Sequence, residues 1–171
     1  MSEMAAVREK ELMKLLFALI NGSRRSDREL AKLLGLSQPS ISRKRSQLEN
    51  KGFVEEYTII PNLLKMGYEI VVFTFLDFLQ PLTHEAYGKA KSWAEKHPCV
   101  IFWADGEGAG IGSVMVSVHK DYADFSRLMS QFRLDWQTSL KTIQNFYISL
   151  GRENLIVKPF SFSYLEKNER N

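Results

Sequence analysis

Apolar residues in the first third of the chain recur at helical spacing. Leucines and an isoleucine stand three or four residues apart over residues 7–21, which predicts a helix with one buried stripe. A second helix is predicted to follow Ser26, because Ser26 and Glu29 form a capping box in which each side chain satisfies a free backbone amide. Gly35 ends this short helix, since glycine readily adopts the left-handed conformation found after helix ends.

A third helix is predicted over residues 37–51. Its first residue is a serine that can act as an N-cap, and Pro39 lies in the first turn, where no amide donor is needed. Gly52 ends this helix. Extended segments with strand composition follow at 53–54 and 57–60, and we expect the first of them to form a wing beside the helices.

The pattern changes near Pro61, after which strands and helices alternate. The predicted order is strand, helix, strand, strand, helix, strand, over residues 70–78, 83–97, 99–104, 113–119, 121 onward and 143–150. This βαββαβ order is typical of a ferredoxin-like sandwich, an α+β fold. We therefore predict a helical domain over 1–60 and a ferredoxin-like domain over 61–171. One more strand is predicted at 155–164, where Pro159 favours an edge position.

Composition narrows the class of protein. Apolar residues make up 44% of the chain and charged residues 25%, the balance of a well-packed soluble protein. No apolar run approaches the roughly 20 residues that span a bilayer, and the acidic N-terminal stretch lacks the apolar segment of a signal peptide. These features predict a cytoplasmic protein that does not enter membranes.

The sequence offers little support for metal or covalent chemistry. Cys99 is the single cysteine, which excludes an intramolecular disulfide and a cysteine-based zinc cluster. His84, His97 and His119 lack metal-ligand spacing and lie near element ends, so we expect surface histidines. We find no catalytic triad, nucleophile motif or cofactor fingerprint in the sequence. It therefore predicts no catalytic residues, no metal and no cofactor.

Basic residues concentrate in the second and third predicted helices. Residues 1–60 carry the whole net charge of +3, and within 24–51 eight basic residues stand against three acidic ones. A solvated helix face can have this charge, but a basic patch on two helices joined by a tight turn is typical of a DNA-binding helix-turn-helix. The side chains suited to base edges are Gln38, Ser40, Ser42 and Arg43. The predicted phosphate contacts are Arg24, Arg25, Lys44, Ser46 and Lys51.

Residues 26–54 carry a longer motif, SDRELAKLLGLSQPSISRKRSQLENKGFV. It resembles the winged helix-turn-helix of the Lrp/AsnC transcription regulators. The matching residues are Arg28 to Lys32, Leu34 to Ser37, Ser40 to Arg43, Leu48, Glu49, Gly52 and Val54. Residues 57–61 and 66–68 resemble the hinge into that family's second domain. The resemblance implies a winged helix-turn-helix followed by a βαββαβ ferredoxin-like sandwich, the order predicted above.

The resemblance also implies partners. Lrp/AsnC regulators form homodimers through their C-terminal sheets, often assemble into tetramers or octamers, and bind pseudo-palindromic double-stranded DNA. In many members a small effector, usually an amino acid, binds between C-terminal domains. The aromatic residues on the predicted strands are accordingly expected in the core and the dimer interface: Phe73, Phe75, Phe102, Trp103, Phe146 and Tyr147.

Three features depart from the family pattern. Arg45 takes a position that is usually apolar, where its head either reaches water along a packed stem or contacts a phosphate. The glycine-rich turn at 105–112 is either a hairpin tip that needs positive φ angles or an effector loop. The candidate residues of that loop are Asp105, Gly106, Glu107, Gly108, Gly110 and Gly112. The extension at 151–171 pairs either with a neighbouring subunit or with its own sheet edge.

A sequence-specific DNA-binding regulator that is not an enzyme is the leading interpretation, and three others stay open. A metabolite sensor that has lost DNA affinity is disfavoured by the polar and basic residues kept in the third helix. A decarboxylase of the haem pathway, on the same architecture, is disfavoured because the C-terminal domain has only four arginines. An architectural protein would bind DNA in a salt-dependent way with little preference among sequences.

Overall fold

The computed structural model describes residues 3–80, 83–151 and 156–165. The chain forms two compact units. One comprises the residues up to Ile60 together with those from Lys158 onward, and the other is Pro61–Val157. The N-terminal unit is therefore built from two separate parts of the chain. Among the described residues, no helix combines the length and the apolar character that a membrane crossing requires.

Three helices form most of the N-terminal unit: α1 (Glu3–Ile20), α2 (Asp27–Leu34) and α3 (Gln38–Asn50). Their apolar stripes meet in one core. Its fully buried members include Leu15, Leu30, Ile41 and Leu48. Burial of these stripes stabilises α2 and α3, which at 8 and 13 residues are too short to persist alone in water.

The predicted capping box at the start of α2 is confirmed. Ser26 Oγ accepts a hydrogen bond from the Glu29 amide at 3.3 Å, and a Glu29 carboxylate oxygen accepts one from the Ser26 amide at 2.7 Å. The hydrogen bonds from Ser26 hold the pKa of Glu29 below its usual range, so this carboxylate is charged at neutral pH. A negative charge in the first turn also interacts favourably with the positive end of the helix dipole.

The segment that follows α3 contains no strand. The strands predicted at 53–54 and 57–60, and with them the expected wing strand, are therefore wrong. The amides of Phe53 and Val54 instead donate to the carbonyl of Leu48, at 2.9 and 3.4 Å, and so finish the helix. Strand composition produces a strand only where a second strand offers its backbone, and the described part of the N-terminal unit has none.

The second unit has the predicted βαββαβ order, which confirms the ferredoxin-like α+β fold. Its elements are β1 (Ile70–Phe78), α4 (His84–Lys96), β2 (Val100–Gly108), β3 (Ile111–His119), α5 (Tyr122–Trp136) and β4 (Leu140–Ser149). The strands form one antiparallel sheet in the order β2-β3-β1-β4. The two central strands are rich in β-branched residues, as suits strands that pair on both edges.

One face of the sheet packs against α4 and α5. Side chains alternate along each strand, so every second residue of β1 points to this face. Val72, Leu76 and Met115 are fully buried there, in a core that includes Trp93 of α4 and Phe132 of α5. This core holds the sheet and both helices of the second unit together.

The opposite face of the sheet is apolar and points away from that core. Register places on it Val71, Phe73, Phe75, Phe102, Val114, Val116, Val118, Phe146 and Ile148. Phe102 and Phe146 are 52% and 60% exposed. The aromatic residues expected in the core or the interface divide between the two faces of the sheet. Trp103 and Tyr147 lie on the face that α4 and α5 cover, and the other four lie on the opposite face.

The C-terminal extension does not form the predicted strand. Residues 156–165 contain none, and Leu155 lies outside the described residues. A short 3₁₀ helix at Phe162–Tyr164 contacts α1 instead. Local bonding bends the chain here, because Ser161 Oγ accepts from the Ser163 amide at 3.1 Å. The sequence assigns 61–171 to one domain, whereas the structure places 158–165 in the N-terminal unit.

Candidate nucleic-acid interface

A tight turn sets α2 and α3 in the helix-turn-helix arrangement. Gly35 has a φ of +66°, a left-handed conformation, and its amide donates to the carbonyl of Ala31 to close α2. Two residues later Ser37 caps α3, since its Oγ accepts from the Ser40 amide at 3.3 Å. The chain therefore ends one helix and starts the next within three residues.

The outer face of α3 is polar. Ile41 and Leu48 are fully buried and fix which side of the helix faces the core. Residues half a turn away project outward, and the exposed ones include Ser42, Arg43, Ser46 and Gln47. Gln47 was not among the predicted site residues. Its position one turn after Arg43 was the signal that identifies it, because residues four apart share a helix face.

The first turn of α3 divides the predicted base-reading residues. Gln38 is exposed, as a side chain that contacts a base must be. Ser40 is half-buried, and its hydroxyl lies 2.8 Å from Ser37 Oγ while its amide donates to the same oxygen. Ser40 therefore takes part in the N-cap of α3, while the side chains of Gln38, Ser42 and Arg43 are exposed to solvent.

Most of the predicted phosphate contacts lie at the surface. Arg24, Ser46 and Lys51 are exposed. Arg25 is exposed as well, and its guanidinium donates to the carbonyl of Ala18 at 3.4 Å, which ties the loop before α2 to the end of α1. Long basic side chains of this kind can reach phosphates on either side of a groove.

Lys44 differs from the other predicted phosphate contacts. Its Nζ lies 2.7 Å from Glu11 Oε2 of α1, and its side chain is only 15% exposed. The hydrogen bond and charge of Lys44 hold the pKa of Glu11 below its usual range. The Glu11 carboxylate is therefore charged at neutral pH, and its contact with Lys44 links α1 to α3.

Arg45 lies half-buried between α2 and the segment after α3. Its Nη2 and Nε donate to Asp27 Oδ1 at 2.6 and 3.1 Å, and its Nη1 donates to Tyr57 Oη at 3.4 Å. Tyr57 in turn donates to Glu49 Oε1 at 2.9 Å. The sequence offered a solvated head or a phosphate contact for Arg45, and the structure gives it partners within the unit.

The protonation states in this network match its hydrogen bonds. Partial burial disfavours the charge on Arg45, but hydrogen bonds with Tyr57 and Asp27 outweigh it and hold the pKa of Arg45 above its ordinary value. Burial also raises the pKa of Tyr57, and Glu49 adds to the rise. At neutral pH the guanidinium is charged and the phenol is neutral, so each donor faces an acceptor.

The glycine-rich turn of the second unit is a two-residue hairpin. Gly108 pairs with Ile111, and the residues between them, Ala109 and Gly110, have φ angles of +52° and +71°. This confirms the expectation of positive φ angles, which a hairpin with the normal strand twist requires. Of the candidate effector-loop residues, Gly112 is half-buried and the others are exposed: Asp105, Gly106, Glu107, Gly108 and Gly110.

Side chains hold the base of this hairpin. The hydroxyl of Tyr87, on α4, donates to the carboxylate of Asp105. Trp103 Nε1 donates to Ser113 Oγ at 2.8 Å, and Ser113 Oγ donates to the carbonyl of Ala104 at 3.0 Å. Both strands of the hairpin are therefore anchored just before the exposed tip.

The expectation of surface histidines holds for His84 and is wrong for His119, which is 1% exposed. His97 is half-buried, and its ring stacks on that of Trp93 with the centroids 3.8 Å apart. His119 Nε2 lies 2.8 Å from Ser117 Oγ, and its Nδ1 lies 3.4 Å from Asp124 Oδ2. This order resembles a catalytic Ser-His-Asp chain, but Ser117 and His119 are both buried, so no substrate reaches the hydroxyl. No three described side chains converge as metal ligands.

Sequence comparison gives the class of the N-terminal unit. A family model described as winged helix-turn-helix DNA-binding matches residues 12–55, from α1 to just beyond α3. The HTH-type transcriptional regulator LrpA of Pyrococcus abyssi is 37% identical over 65 residues, which are 38% of this chain and 46% of that protein. The matched segment of this chain thus spans less than half the length of that LrpA. The sequence match places this unit among the winged helix-turn-helix domains. The structure shows the helix-turn-helix itself, and the described residues of the unit contain no wing strand.

Structure comparison extends the likeness to most of the chain. Transcriptional regulator NMB0573 from Neisseria meningitidis, solved as a complex with L-Met, has a TM-score of 0.74 at 18% identity over 90% of this chain and 94% of that one. An AsnC family transcriptional regulator from Agrobacterium tumefaciens has a TM-score of 0.71 at 15% identity, over 91% and 97%. At such identities the likeness is one of fold. With the sequence match in the N-terminal unit, it confirms the resemblance to the Lrp/AsnC regulators.

Proposed function

We propose that this chain is a sequence-specific, DNA-binding transcription regulator of Lrp/AsnC type that reads the major groove with α3 as a homodimer. The observation that carries the proposal is the outer face of α3. Ser42, Arg43 and Gln47 project from a helix whose other side is anchored in the core. A fixed helix with polar side chains on its outer face is what base recognition in the major groove requires.

The exposed side chains suggest a division of roles. Arg43 can bind guanine through two hydrogen bonds, and Gln47 can bind adenine in the same way. Arg24 and Lys51, which are both exposed, are assigned to phosphates, and every phosphate contact makes affinity fall as salt rises. Lys44 is left out of this set, because its charge is already paired inside the unit.

Selection of DNA from a random pool, at fixed near-physiological salt, tests the proposal. The wild type is compared with Arg43→Ala and with a control, Lys91→Ala, which removes an exposed charge from α4. We expect a short pseudo-palindromic consensus that Arg43→Ala weakens about tenfold to a hundredfold and relaxes at one position per half-site. Salt-sensitive binding without an enriched sequence would indicate an architectural protein. No binding at all would overturn the proposal.

The homodimer is proposed to form through the apolar face of the sheet that lies opposite α4 and α5. An apolar face can pair with its own copy under twofold symmetry, and Phe102 and Phe146 are exposed on it. Phe146→Glu is expected to give monomers in light scattering, because a carboxylate cannot be buried there without a partner. Leu134→Glu, an equally exposed apolar site on α5, is the matched control. A monomeric wild type at micromolar concentration would contradict the dimer.

We also propose that a small effector binds beside the glycine-rich hairpin. The solved relative that holds L-Met supports an amino acid as the class of ligand. Asp105 and Glu107 bring carboxylates to the exposed hairpin, and a carboxylate can pair with the ammonium group of such a ligand. Thermal shift with each amino acid is the test. A shift that Glu107→Gln abolishes supports the site, and no shift with any of them contradicts it.

A further inference from the structure

The polar network around Arg45 has no place among the proposed DNA contacts. It joins Asp27 at the start of α2, Arg45 and Glu49 on α3, and Tyr57 in the segment that follows. Arg45 is 18 residues from Asp27 and 12 from Tyr57 along the chain. One guanidinium therefore holds three separate parts of the N-terminal unit.

Arg45 lies on the inner side of α3. It follows Ile41 by four residues and precedes Leu48 by three, so these three side chains share one helix face, away from Arg43. The Arg45 side chain is 22% exposed, and that of Asp27 is 25% exposed. A phosphate contact would require the guanidinium to leave Asp27, and a half-buried carboxylate would then remain without its cation.

Apolar packing alone fixes α3 loosely. Ile41 and Leu48 are its only buried residues, and apolar contacts do not define direction. A guanidinium is planar and donates along fixed directions, so its bonds to Asp27 and Tyr57 define both the rotation of α3 and its angle to α2. Arg45 thus supplies a directional contact to α2 that the short apolar stripe lacks, as the Lys44–Glu11 ion pair does toward α1.

We propose that Arg45 is a positioning residue of the DNA-binding unit. It sets α3 against α2 and holds Tyr57, and with it the chain that leaves α3, to the recognition helix, without touching DNA. The DNA readouts below rest on the proposed function. The network itself does not depend on that function, which lets the two be tested apart.

The salt dependence of DNA affinity separates positioning from phosphate contact. Arg45→Met and Asp27→Asn are expected to weaken binding about tenfold, the equivalent of one charge-assisted hydrogen bond, at every salt concentration. The slope of log affinity against log salt should stay at the wild-type value. Lys51→Met, at a proposed phosphate contact, is the positive control and should reduce the slope by about one. Arg45→Lys, which keeps the charge and loses the planar fork, is expected to bind between Arg45→Met and the wild type.

Two results would overturn the proposal. One is a slope reduced by about one in Arg45→Met while Asp27→Asn and Tyr57→Phe bind normally, which would make Arg45 a phosphate contact. The other is normal binding by all three variants. Tyr57→Phe removes only a hydroxyl, so it remains informative if Arg45→Met fails to fold, which circular dichroism would show.

Urea unfolding tests the network without DNA. Arg45→Met and Asp27→Asn delete the same ion pair, so the double variant should lose clearly less stability than the sum of the two single variants. Additive losses would contradict the network. If the wild type binds no DNA while the losses are non-additive, the proposed function fails, and with it the assignment of Arg45 to DNA recognition.

Discussion

Replacing Ser113 by alanine should loosen the base of the glycine-rich hairpin. Ser113 is 1% exposed, and its Oγ accepts from Trp103 Nε1 at 2.8 Å and donates to the Ala104 carbonyl at 3.0 Å. The substitution deletes both bonds and leaves the half-buried indole N–H without this partner. Each bond contributes about 1 kcal/mol, and an orphaned donor costs roughly 1–3 kcal/mol. We therefore expect the unfolding free energy of the second unit to fall by about 2 kcal/mol.

Tryptophan fluorescence measures this loss directly. All three tryptophans lie between residues 61 and 157, so their emission during urea titration follows the second unit alone. The melting temperature of this unit should fall by roughly 4–8 °C for each kcal/mol lost. Ser92→Ala, at an exposed serine of α4, is the matched control and should stay within about 0.5 kcal/mol of the wild type.

Two outcomes would refute the expectation for Ser113. The first is a Ser113→Ala protein that unfolds like the wild type. The second concerns Trp103→Phe, which removes the indole donor. In that background Ser113→Ala should cost less, because no indole N–H is left to orphan. Equal costs in both backgrounds would show that the bond to Trp103 contributes nothing.

The remaining predictions concern pH, capping and salt. Burial lowers the pKa of His119 below its ordinary 6.5. As the pH falls, the imidazole is therefore protonated in the unfolded chain before it is protonated in the folded one. Stability of the second unit should fall as the pH drops below about 6.5, and His119→Gln should flatten this dependence between pH 7 and 5 in fluorescence-monitored urea titrations. An unchanged pH dependence would contradict it. Ser26→Ala removes the N-cap of α2 and should cost about 1 kcal/mol, measured as faster amide exchange in that helix; wild-type exchange rates would count against the cap. Lys44→Met should keep the wild-type salt slope of DNA binding, and a slope reduced by about one, as for Lys51→Met, would restore Lys44 as a phosphate contact.

Short-range signals predicted the elements well. Residues 70–78 were predicted as a strand and form β1 with the same bounds, and the caps at Ser26 and Ser37 start α2 and α3 as expected. These features depend on residues within one or two turns of each other, which periodicity and capping motifs describe. The βαββαβ order then left few ways to arrange the sheet.

Features that depend on distant partners were missed. The helical period gave the inner position of Arg45 but not Asp27, because no periodic pattern relates side chains 18 residues apart. His119 stands at the end of a strand, which suggested the surface, but α5 covers it and the Phe125 ring lies 5.3 Å away. Residues 57–60 have strand composition and no neighbouring strand.

The split N-terminal unit sets an order of assembly during synthesis. Residues 158–165 belong to the same unit as α1, and the 3₁₀ helix at Phe162–Tyr164 contacts that helix. The ribosome releases the chain from the N-terminus, so α1 to α3 emerge first and this contact can form only after all of 61–157 has left the exit tunnel. A nascent chain therefore has α3 in solution before the unit that carries it is closed, and a product released before residue 158 never closes it.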